Sequence, residues 1–162
     1  MKNVLILYEK YTPVIDAVIY NIGNFANVEC IQSFDNGTID KSIYDLIINL
    51  GINNESDFNE VAVSHSLIPP FNDENGEIRT ISEGFKVTGI TIYYTKTKKI
   101  ISQYPIFVHN DTRLDMLQQE LNYVEQTLLP LVAEKILKNE AFETQNLLKQ
   151  NSSCGGCSGC CH

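Results

Sequence analysis

No apolar run in this chain reaches the roughly 18 residues needed to cross a bilayer, and no charged-then-apolar leader opens it. A cytoplasmic protein with no membrane partner is the expectation. Basic residues are scarce as well: 12 Lys and Arg stand against 20 Asp and Glu, for a net charge of −8. Recognition of a phosphate backbone rests on clustered cations, so this balance argues against a nucleic-acid partner. The one basic cluster, Lys96, Lys98 and Lys99, reads as a solvated tip between two strands. Internal repeats are missing too. What remains is a chain of 162 residues, 43% apolar, long enough for one well-packed domain and short for two.

The N-terminal third reads as a βαβ unit. Val4-Leu5-Ile6-Leu7 is a continuous apolar run that suits a strand buried on both faces. Thr12-Pro13 starts a helix, with Thr as N-cap and Pro in the first helical position. Val14, Ile15, Val18, Ile19 and Ile22 share a helical face, Gly23 stops the helix, and residues 28–31 form a second short strand. The turn between strand and helix, Tyr8-Glu9-Lys10-Tyr11, lacks the glycines that let backbone amides approach a pyrophosphate, and Glu9 would repel one. Cys30, beside apolar Val28 and Ile31, reads as an inert core thiol.

Asp35-Asn36-Gly37 signals a turn, residues 39–44 a short helix, and residues 51–59 a polar loop or short helix. Asp45-Leu46-Ile47-Ile48-Asn49-Leu50 is a third strand, and Val61-Ala62-Val63 a fourth that carries Ser64 and His65 to its C-terminal end. In open α/β sheets that edge is where ligands bind, which makes Ser64 and His65 candidate catalytic residues. His65 also reads as an ordinary polar loop residue, and both readings stand. Pro69-Pro70 to residue 76 is an exposed turn region, and residues 78–85 a short helix.

Thr88-Gly89-Ile90-Thr91-Ile92-Tyr93-Tyr94 alternates as a strand does, and residues 100–108 return beside it. Asn110-Asp111-Thr112 caps a long helix whose Leu114, Leu117, Leu121, Val124, Leu128 and Leu131 are spaced three and four apart. Pro130 should kink or split it near Thr127. The domain therefore spans residues 1–149 and a tail residues 150–162.

Several of these segments, taken in order, resemble the folate-dependent formyltransferases, the glycinamide ribonucleotide and methionyl-tRNA enzymes. Ser66-Leu67-Ile68-Pro69 looks like the end of that family's Asn-x-His-Pro-Ser-Leu-Leu-Pro segment, and Thr88-Gly89-Ile90-Thr91-Ile92 like its Thr-Gly strand. Gln103-Tyr104-Pro105-Ile106-Phe107-Val108, Asp111-Thr112 and Leu129-Pro130-Leu131 look like the returning strand and the helix after it. Order and spacing agree over roughly residues 45–138. The resemblance implies a Rossmann-like α/β fold: a mostly parallel sheet, an antiparallel C-terminal strand pair and a long C-terminal helix. It also implies a reduced folate in an apolar cleft beside Leu67 and Ile90.

The family's reacting groups are not matched. Aligned without a gap, its Asn falls on Ala62, its His on Ser64, and His65 takes the position of its Pro. The loop that bears its essential Asp is reduced to Thr95-Lys96-Thr97-Lys98-Lys99, without a carboxylate. Formyl transfer needs donors aimed at the developing oxyanion and a group that takes the amine proton. The expectation is a formyltransferase-like scaffold that lacks standard formyl transfer. The alternative is an active folate-dependent enzyme that moves a one-carbon unit to an amine with His65 or Ser64 in the lost roles.

The tail, Asn151-Ser152-Ser153-Cys154-Gly155-Gly156-Cys157-Ser158-Gly159-Cys160-Cys161-His162, lacks the apolar residues of a packed structure and is expected to be disordered by itself. Two Cys-x-x-Cys steps overlap at Cys157. In a cytoplasmic chain such clustering points to metal or redox chemistry rather than to disulfides. Cys154, Cys157, Cys160, Cys161 and His162 supply four soft sulfur ligands and an imidazole, a set that suits Zn²⁺ or an iron–sulfur cluster. Idle reduced thiols, redox exchange and covalent modification are the other readings. A bound metal could be passed to a receiving protein.

Overall fold

A computed structural model of the chain describes residues 1–32, 39–51, 59–68, 75–140 and 142. The turn at Asp35-Asn36-Gly37, the polar stretch 52–58, the Pro69-Pro70 region and the whole cysteine-bearing tail lie outside the described residues.

The elements follow in the order β1 (Lys2–Tyr8), α1 (Pro13–Ile22), β2 (Ala26–Gln32), a 3-10 turn (Lys41–Ile43), β3 (Leu46–Leu50) and β4 (Glu60–Ser64). Then come α2 (Gly76–Ser82), β5 (Val87–Tyr94), β6 (Ile100–Phe107) and α3 (Leu114–Leu137). The strands form one six-stranded sheet in the order β2-β1-β3-β4-β5-β6. The pairings among β2, β1, β3 and β4 are parallel. Those of β4 with β5 and of β5 with β6 are antiparallel. This is the expected Rossmann-like arrangement with its antiparallel C-terminal pair and long C-terminal helix.

Alternation along each strand divides the sheet into two faces. Val4, Ile6, Leu46, Ile48, Val61, Ile90, Ile92 and Ile106 form one core with α1 and α3. The opposite face is thinner. Leu5, Leu7 and Ile47 pack there with Ile31, Ile39 and Tyr44, while Ala62 packs with Tyr93. Charged and amide side chains share that second face: Glu60, fully buried, accepts from Asn49 Nδ2 at 2.7 Å and from Lys41 Nζ at 3.3 Å.

Two expectations about the helices need correction. On α1, Val14, Ile15, Val18 and Ile22 are buried, but Ile19 is over a third exposed and does not join that face. Pro130 does not split α3; the helix is continuous from Leu114 to Leu137. Pro130 is buried against the core, and Asn21 Nδ2 of α1 donates to its carbonyl at 3.1 Å, so packing holds the helix through the missing amide. The buried stripe of α3 runs through Leu117 and Leu121 and then shifts by one residue, to Leu129 and Val132, where Leu131 faces outward. That shift is what a 3.6-residue repeat imposes over several turns. Asn139, in the left-handed region at φ 54°, follows the end of the helix.

Candidate functional site

The C-terminal ends of β1, β3 and β4 lie along one edge of the sheet, where the parallel strands deliver Tyr8, Leu50 and Ser64. The first turn is filled by aromatic side chains. Tyr8 and Tyr11 meet edge to face with ring centroids 5.8 Å apart, and Tyr11 Oη donates to Asp16 at 2.5 Å. Gln32 Nε2 donates to the Glu9 carbonyl at 2.9 Å. Cys30, partly buried and in the reduced form, lies nearby, and burial pushes its thiol pKa up, with Asp16 and Glu29 adding to the effect. That is the electrostatics of an unreactive thiol.

Ser64 and His65 follow one another on the chain, so the strand's alternation sends their side chains to opposite faces. Val61 and Val63 pack on the helix-bearing face, and His65 continues on that side. Its imidazole lies between two helices: Nδ1 meets Glu77 Oε1 of α2, and Nε2 meets Glu125 Oε2 of α3 at 2.8 Å. Gln118 Nε2 of α3 donates to the second oxygen of Glu77 at 2.9 Å. A quarter of the imidazole is exposed. Burial alone would lower its pKa, but the hydrogen bonds and charges of Glu125 and Glu77 outweigh that and raise it from 6.5 to about 9. The bond from His65 holds the Glu77 carboxyl below its ordinary value. His65 is therefore an imidazolium at neutral pH, with both nitrogens engaged, and offers no lone pair for general-base work.

Ser64 faces the other side, buried and paired in register with Thr91 of β5, while Ala62 pairs with Tyr93. Tyr93 is 5% exposed and packs on Ala62, with the Lys98 ammonium 5.6 Å from its ring centroid. The two positions aligned with the family's Asn and His are thus a methyl group under a tyrosine ring and a serine hydroxyl. The hairpin between β5 and β6, residues 95–99, supplies no carboxylate to this face.

The segment after β4 is pinned by side chains of the antiparallel pair. Thr91 Oγ1 donates to the Ser66 carbonyl at 2.5 Å, and Gln103 Nε2 donates to the Leu67 carbonyl at 2.7 Å and to Thr91 Oγ1 at 2.9 Å. Leu67 reaches over Gly89, where a Cβ would lie 2.9 Å from Leu67 Cδ2 and would overlap the Tyr104 carbonyl oxygen. Gly89 is required there because β5, β6 and Leu67 converge on it. Ile90, the next residue, points the other way into the fully buried core under α1 and α3. Leu67 and Ile90 thus lie on opposite sides of β5. Among the described residues no group of three or more His, Cys, Asp and Glu side chains is arranged to hold a metal ion. No described helix is long and apolar enough to cross a membrane.

Glu77, Glu125 and Gln118 were not singled out from the sequence. Glu125 carried a signal. It stands four residues after Leu121 and four before Leu129, inside the buried stripe of α3, and a carboxylate at such a position needs a partner.

No family model matches this chain, and no curated protein matches it. Solved structures do. The phosphoribosylglycinamide formyltransferase of Bacillus halodurans superimposes with a TM-score of 0.72 at 20% identity, over 89% of this chain and 100% of that one. Glycinamide ribonucleotide transformylase 1 of Symbiobacterium toebii gives 0.71 at 14% identity, over 89% and 92%. The Coxiella burnetii phosphoribosylglycinamide formyltransferase, solved with CHES, gives 0.71 at 14% identity, over 85% and 88%. The chain has the formyltransferase fold over nearly the full length of these proteins.

Proposed function

We propose that this protein is a formyltransferase-fold scaffold that does not carry out standard formyl transfer and that binds a thiophilic metal through its C-terminal tail. One observation carries the first half: among the described residues the imidazole at the strand-end edge, that of His65, is held between Glu77 and Glu125 on the helix-bearing face. On the opposite face the corresponding positions hold Ala62 and Ser64, and the shortened hairpin has no acid. Transfer of a formyl group to an amine passes through a tetrahedral oxyanion and releases a proton. Ser64 can donate one hydrogen bond to such an oxygen, while the Glu60 carboxylate on that face is fully buried and engaged by Asn49 and Lys41.

The tail supports the second half by its chemistry. Four thiols and an imidazole within residues 154–162 make a complete ligand set for tetrahedral Zn²⁺ or, by four thiolates, for an iron–sulfur cluster. The glycines and serines between them allow close wrapping. Metal held on such a segment is accessible to a receiving protein.

The test has two arms. Full-length protein purified anaerobically, and a version cut after Gln150, are assayed for metal, sulfide and visible absorption. Stoichiometric metal in the full chain alone is expected; its absence from both refutes the tail reading. Both proteins are also assayed for formyl transfer from a formylated reduced folate to glycinamide ribonucleotide. The expected result is no turnover above the uncatalysed rate. Turnover that disappears in His65→Gln or Ser64→Ala would instead establish the alternative, an active formyltransferase using those residues.

A further inference from the structure

A neutral imidazole carries one N–H; an imidazolium carries two. His65 meets a carboxylate at each nitrogen, one from α2 and one from α3, so both contacts are satisfied only while the ring is protonated. Loss of the proton must leave one carboxylate facing a lone pair. We infer that the Glu77–His65–Glu125 bridge is a latch that holds the N-terminal end of α2 across the end of β4, and that α2 is the element released when the bridge opens.

The asymmetry between the two helices decides which one moves. Glu125 sits mid-way along the 24 residues of α3, flanked by Leu121, Leu129 and Val132 in the core. Helix α2 has only seven residues. Its C-terminal half is held by packing, through buried Thr80 and half-buried Ile81. From its N-terminal half Glu77 bonds to His65 and to Gln118, while the Ile78 side chain is exposed. Gly76 lies so close over the strand end that a Cβ there would be 3.3 Å from the His65 carbonyl oxygen. The titratable groups facing the imidazole are Glu77 from α2 and Glu125 from α3; β5 presents only Thr88, whose hydroxyl lies 3.5 Å from the His65 carbonyl. When the latch opens, the end of β4 is uncovered at the ligand edge of the sheet and His65 gains a free ring nitrogen there. The inference does not depend on whether the scaffold transfers formyl groups.

Limited trypsinolysis of the full chain reads the latch directly, because Arg79 lies in α2 and Lys96, Lys98 and Lys99 lie in a hairpin that the latch does not touch. Mass spectrometry follows cutting after Arg79 relative to cutting in the hairpin. In Glu77→Gln the ratio is expected to rise about tenfold at neutral pH, while Glu125→Gln, which keeps the tie to α2, changes it by less than about twofold. In the unmodified protein the same ratio is expected to rise between about pH 7 and about pH 9.5, as the imidazole loses its proton. A ratio unchanged in Glu77→Gln, or cutting that accelerates equally at all sites, overturns the inference. If Glu77→Gln does not fold, the pH comparison on the unmodified chain decides alone, and a constant ratio overturns the latch.

Discussion

His65→Gln should alter the pH dependence of stability in a defined window. The folded-state pKa of about 9 lies above the ordinary 6.5, so folding takes up a proton between those values. The stabilisation from the imidazolium is complete below pH 6.5 and disappears as pH rises through about 9. The interval from 6.5 to about 9, at about 1.4 kcal/mol for each pH unit, corresponds to about 3 kcal/mol, which partial exposure of the ring trims to about 2 kcal/mol. Glutamine at this position can still donate to one carboxylate but cannot titrate. The prediction is that the stability difference between the two proteins, from urea unfolding at fixed ionic strength, is about 2 kcal/mol near pH 6 and falls close to zero near pH 9.5. Cys30 is common to both proteins and cancels. Tyr11 and Tyr44, pushed up to about 12 by their bonds to Asp16 and Glu29, act mainly above the window. On the acid side Glu77, held below 4.5, contributes stability that is lost as pH falls beneath that value. A difference that stays flat from pH 6 to 9.5 would refute the electrostatic account of the bridge.

Gly89→Ala places a Cβ onto the Tyr104 carbonyl and against Pro105 Cα at 3.0 Å, both backbone atoms that cannot swing away. It should cost about 3 kcal/mol in urea unfolding; a loss under about 0.5 kcal/mol would mean that β5 and β6 separate easily. Lys41→Met leaves the buried Glu60 carboxylate with its Asn49 bond but without its cation, and should cost about 2 kcal/mol at neutral pH. A thermal melt in which Lys41→Met matches the unmodified protein would count against it.

The architecture was legible because many residues vote for it together. Four apolar runs, an alternating pair and one long amphipathic stretch each place several side chains, so a misread residue such as Ile19 or Leu131 moves no element. The split expected at Pro130 fails for a related reason: a missing amide is a local signal, and the packing that overrides it, with Asn21 donating from α1, is more than a hundred residues away in sequence. The site is a different kind of information. It depends on which face one side chain takes, and along a strand that is settled by parity. Displacing the alignment by a single residue carries an imidazole from the Ser64 position, beside Thr91 on one face, to the His65 position, between Glu77 and Glu125 on the other. The partners that fix its protonation there come from helices 12 and 60 residues further along the chain, and only Glu125, a carboxylate set in an apolar stripe, announced itself. A sheet can thus share the formyltransferase fold at 20% identity or less, because the fold is held by apolar alternation, while the parity of one position decides that His65 joins a helix clamp.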